Sequence, residues 1–117
     1  MTVKDLGNHG IDLATAMENC ADDEEIYTEV LQTFLEEGRE KVRLFKELIE
    51  QKDYERYGIE GHGLKNAAIT IGAVKLSNLG KSAEFACKEG NYAAIDGAHD
   101  LLICEYERVL DLISQIS

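Results

Sequence analysis

The side chain most open to chemistry is His62, in the stretch Glu60-Gly61-His62-Gly63-Leu64-Lys65-Asn66-Ala67-Ala68-Ile69-Thr70-Ile71-Gly72-Ala73. A neutral imidazole is a nucleophile at physiological pH, and a covalent group on it is readily passed on. With about 100° of rotation per helical residue, Tyr57, Leu64, Ala68 and Ile71 form one stripe and His62 lies about 160° from Leu64. The stripe is expected to be buried and the imidazole exposed. Lys65 and Asn66 follow His62 by one turn. Gly58, Gly61 and Gly63 surround it, although each glycine costs a helix about 1 kcal/mol against alanine. Room for another protein to approach the ring is the expected reason.

Charge is unevenly spread. The formal net charge is −11, yet Glu84 is the only acid between Gly61 and Lys88, a segment that holds Lys65, Lys75, Lys81 and Lys88. An anionic group carried on the imidazole needs such lysines nearby. Ser77, Lys81, Glu84 and Lys88 follow a three-four rhythm that places them on one helical stripe. If that stripe adjoins His62, Glu84 accepts the Nδ1–H and leaves Nε2 free as the nucleophile. Lys65, Lys81 and Lys88 would then surround the ring with positive charge.

Other chemistries lack support. There is no Cys-x-x-Cys, His-Glu-x-x-His or Glu-x-x-His pattern for a metal, and no phosphate loop or serine elbow. The acidity argues against nucleic acid or an anionic membrane as partner. No apolar run reaches the ~20 residues of a membrane span, and the N-terminus does not read as a signal peptide. Cys20, Cys87 and Cys104 are expected to be reduced cytoplasmic thiols, with Cys87 and Cys104 in the core. His9 is expected in a solvated loop and His99 beside the core of the last helix.

The elements that must position His62 are all helical. The 117 residues include no proline, enough for one domain with one modest core. Residues 1–10 are expected to be a loose lead-in and 11–117 the domain. Asp12 caps a short helix over 12–20, with Leu13, Ala16 and Met17 on one face. Asp22 and Glu25 have capping-box spacing for a helix to about residue 51, its stripe drawn through Ile26, Val30, Phe34, Val42, Phe45, Leu48 and Ile49, with a bend at Gly38. Asp53 caps the His62 helix and Gly72 ends it. Helices over 74–88 and 92–115 follow, burying Leu76, Leu79, Ala83 and Cys87, then Ile95, Leu102, Tyr106, Val109 and Ile113. The expected fold is all-α: an antiparallel four-helix bundle with a short extra N-terminal helix.

The residues His62, Leu64, Lys65, Ala67, Ala68, Ile71, Gly72 and Ala73 resemble the core motif of the histidine-containing phosphotransfer (HPt) domain of two-component phosphorelays. The resemblance spans roughly residues 11–113, with the helices in the family's order. Asn66 stands where the family usually has glycine, and Glu84 where an uncharged polar residue, frequently glutamine, is common. The resemblance implies a cytoplasmic, monomeric phosphocarrier without kinase activity. His62 would take a phosphoryl group from one receiver-domain aspartate and pass it to another. The implied partners are response-regulator receivers and a hybrid sensor histidine kinase. Magnesium would sit on the receiver only, and no cofactor on this chain. Gly58, Gly61, Asn66, Ile69 and Ala73 are the expected docking platform. Two other readings stay open: a receiver-docking module without phosphotransfer, and a structural helical bundle.

Overall fold

The computed structural model describes residues 1–116 and is helical throughout, with no strand among them. A 3₁₀ helix over Val3–His9 is followed by α1 (Leu13–Asn19), α2 (Glu24–Glu50), α3 (Tyr54–Thr70), α4 (Val74–Lys88) and α5 (Tyr92–Ser114). The four longer helices run antiparallel, with α1 packed across one end. At about 1.5 Å per residue, the 27 residues of α2 account for the 40 Å long axis.

Residues 1–10 depart from the expected loose lead-in. The Asp5 carboxylate accepts from the Thr2 backbone N–H at 2.9 Å and the Thr2 hydroxyl at 3.1 Å, closing the first turn. Val3 and Leu6 are buried in the same core as α1. Asp12 caps α1 as expected, accepting from Thr15 N–H at 3.2 Å. The cap of α2 is Asp23, not Asp22, because Ala21 and Asp22 both adopt positive φ in the reversal before it. The inward stripe of α2 is accordingly Tyr27, Leu31, Phe34, Gly38, Val42, Phe45 and Leu48, and Ile26 is exposed. Gly38 makes no break in the helix: an added Cβ would strike Leu110, so the glycine lets α2 and α5 close together.

Tyr57, Leu64, Ala68 and Ile71 are buried along α3 and its end. The α3–α4 corner is held from two sides. The Tyr27 hydroxyl donates to Ile71 C=O at 2.8 Å, and Asp12 N–H donates to Gly72 C=O at 2.8 Å. Gly72 turns the chain with φ 84°, where any Cβ would strike the Asp12 carbonyl. Ile95, Leu102, Tyr106, Val109 and Ile113 complete the core from α5. Cys104 is exposed rather than buried, since Ile103 and Glu105 take the flanking inward positions. Cys20 is buried and Cys87 half-buried, and all three thiols are free.

Candidate functional site

The site is the shared outer edge of α3 and α4. The two helices lie backbone to backbone along the glycines: a Cβ on Gly61 would come within 2.8 Å of Gly80 C=O, and one on Gly80 within 2.7 Å of Gly61 C=O. Gly58 is likewise closed off by Cys87. Gly58 and Gly61 therefore serve the helix–helix contact, and Gly58 reaches the surface only as part of a groove floor. Ala73 is buried at the corner and drops out of the docking surface for the same reason. Of the three glycines around His62, only Gly63 faces open space. The close approach has a chemical result: side chains of α4 reach across α3 to the histidine.

The His62 side chain is 53% exposed, and its Nδ1 lies 2.6 Å from Glu84 Oε2. Asn66 Nδ2 approaches Nε2 at 3.3 Å. Both contacts fit one neutral tautomer, in which Nδ1–H donates to the carboxylate and Nε2 accepts from the amide. Glu84 is only 14% exposed and also meets two cations, Lys65 Nζ at 2.8 Å on Oε1 and Lys88 Nζ at 3.4 Å on Oε2. The Lys65 hydrogen bond above all, then those of His62 and Lys88, hold the Glu84 carboxyl down at about 2 against partial desolvation. Ser77, buried in α4, donates to Lys65 C=O at 2.8 Å and fixes the turn of α3 that carries the lysine.

Lys81 is the exception on the α4 stripe. It is exposed and borders a separate groove with Phe85 and Glu89, outside the His62 cluster. No ion pair joins it to Glu84 among the described residues, while Lys88, one turn beyond the carboxylate, reaches it at 3.4 Å.

Along α3 the exposed face reads Glu55, Ile59, His62, Asn66, Ile69. Ile69 is 40% exposed, and Ile59, which the sequence reading passed over, is 66% exposed. Its signal was present, since a residue three before His62 shares its face. Beside the imidazole is an open groove of about 390 Å³, floored by Gly58 and Cys87 and flanked by Ile59 and Lys88.

The other histidines are differently placed. His99 Nδ1 is 2.7 Å from the Tyr57 hydroxyl, and burial pushes its pKa down. Burial also raises the Tyr57 pKa, so the phenol keeps its proton and donates. His9 is exposed at the end of the 3₁₀ helix, where its backbone C=O accepts from Arg108. Among the described residues no cluster of His, Cys, Asp and Glu could hold a metal ion, and no helix is long and apolar enough to cross a membrane.

The histidine, with Nδ1 held by Glu84 and Nε2 met by Asn66, thus sits on the open long edge of a four-helix bundle rather than in an enclosed pocket. Residues 29–117 match the family model of the Hpt domain, and the chain belongs to that family. No curated protein and no solved structure compared with the chain matches it. Hpt domains act in two-component phosphorelays as phosphocarriers, and interact with receiver and sensor kinase domains.

Proposed function

We propose that the protein is a phosphorelay intermediate that carries a phosphoryl group on Nε2 of His62 between receiver-domain aspartates. The observation that carries this reading is the pairing of Nδ1 with Glu84, which makes Nε2 the nucleophilic nitrogen of an exposed ring. Lys65 and Lys88 lie within reach of the Glu84 carboxylate beside the ring and supply the positive charge that a phosphoryl group requires. Lys65 orients and screens the group, with Lys88 as helper; Lys81 has no part in this cluster. The receiver brings the magnesium and the acyl phosphate, so the chain is a carrier and not a kinase. It docks as a monomer, with Ile59, Asn66 and Ile69 beneath the receiver. Its partners are response-regulator receivers and a hybrid sensor kinase, in the cytoplasm.

Incubation with a phosphorylated receiver tests the assignment. His62→Gln is expected to abolish labelling, while His9→Gln and His99→Gln retain it. The label is expected to be acid-labile and base-stable, as a phosphoramidate is. Labelled His62→Gln protein, or an acid-stable label, would defeat the reading. One observation favours a docking-only module: the Asn66 amide lies on Nε2, the atom that must attack. Receiver binding without label, restored to labelling by Asn66→Gly, would select that reading.

A further inference from the structure

Glu84 does more in this geometry than select a tautomer. Any acceptor on Nδ1, a neutral amide included, would leave Nε2 as the nucleophile. A carboxylate also stabilises positive charge on the ring it faces. The charged groups around the ring come from two helices: Glu55 and Lys65 from α3, Glu84 and Lys88 from α4. Lys65 meets Oε1 of Glu84 and Lys88 shares Oε2 with the ring, and among the described residues no other carboxylate contacts the imidazole.

Resting on the carrier reading of His62, we propose that Glu84 keeps the Nδ1 proton on the ring through the whole transfer cycle, so that the phosphorylated form is a phosphoimidazolium and a readily discharged donor. In the forward step the Nε2 lone pair forms the N–P bond. The P–O bond to the receiver carboxylate breaks, and the carboxylate leaves with the electron pair. The Nδ1 proton does not move, and the ring gains a positive charge directly opposite Glu84. In the reverse step an acceptor carboxylate forms the new P–O bond and the N–P electron pair returns to Nε2. The ring is then the neutral Nδ1–H tautomer again. Neither direction requires a proton donor or acceptor from solvent, which a docked receiver excludes. A ring that lost the Nδ1 proton after phosphorylation would first have to regain it, since imidazolate is a poor leaving group.

The test compares the wild-type protein with Glu84→Gln, both phosphorylated with the small-molecule donor phosphoramidate. The nitrogen-15 shift of His62 Nδ1 is read by NMR at about pH 8, above the ordinary imidazole range. Nδ1 is expected to be protonated in the phosphorylated wild-type protein and unprotonated in Glu84→Gln. The phosphohistidine lifetime is expected to be about five- to tenfold longer in the variant, as follows from exchanging a charge-assisted for a neutral hydrogen bond. Lysines released by the substitution also lengthen the lifetime, and the nitrogen shift separates the two effects. An unprotonated Nδ1 in the phosphorylated wild-type protein overturns the proposal, as do equal lifetimes. If Glu84→Gln fails to fold, the wild-type shift alone decides. Should neither phosphoramidate nor any phosphorylated receiver label His62, the carrier reading itself fails and takes this inference with it.

Discussion

At the scale of single residues, the site depends on how Glu84 is shared. Its carboxyl titrates at about 2, below its ordinary value of 4.5, chiefly because Lys65 bonds to its ionised form. The folded state therefore binds this proton less readily than the unfolded chain. The Glu84 contribution to stability is complete above about pH 4.5 and is lost as the pH falls through about 2. Denaturation midpoints of wild type and Glu84→Gln, followed from pH 6 downward, are expected to converge across that interval. A difference that stays constant from pH 5 to about 2 would mean that the carboxylate is not bonded in solution as it is here.

At the scale of helices, the glycines divide into two kinds that sequence alone presents as one. Gly61 faces the Gly80 carbonyl, and a methyl group there would force the two backbones apart. Gly61→Ala is expected to destabilise by about 1–3 kcal/mol, the usual cost of overpacking. Gly63 faces open space, so Gly63→Ala is expected to stabilise by up to about 1 kcal/mol through helix propensity. Chemical denaturation of the pair checks both signs, and a stabilised Gly61→Ala would refute the packing assignment. The same contrast marks what the sequence could reveal. Apolar periodicity located the buried stripes of α3 and α5 and the outward face of His62, because these follow from 3.6 residues per turn. The rhythm of α4 put Glu84 and Lys88 on one stripe with Lys81, without saying which of them meets the ring. It could not separate Lys81 from them, nor assign Gly58 and Gly61 to an interhelical contact, because both depend on how closely two helices approach. Val3 and Leu6 were missed because a 3₁₀ segment of seven residues carries too little periodicity to register.

At the scale of the whole molecule, the proposed relay role requires a protein of net charge −11 to dock a partner whose own phosphorylation site is acidic. The bundle lowers the electrostatic cost locally, by placing Lys65 and Lys88 at the one edge where His62 emerges. It also flanks the imidazole with two exposed isoleucines on α3, Ile59 before it and Ile69 after it. Burial of such apolar side chains drives association without reference to charge. Ile59→Lys and Ile69→Lys are each expected to weaken receiver binding by about tenfold or more, as substitution at a central interface residue commonly does. Folding stability is expected to stay within about 0.5 kcal/mol of wild type, since neither side chain belongs to the buried core. Leu101, 52% exposed on α5, is the control. α5 packs chiefly against α2 and α4 and meets α3 through Tyr54 and Tyr57, away from the His62 edge, so Leu101→Lys is expected to leave receiver affinity unchanged. Titration calorimetry against a receiver separates the cases. Loss of binding in Leu101→Lys with full binding in both isoleucine variants would move the docking face from α3 to α5, and with it the position from which an aspartate could reach His62.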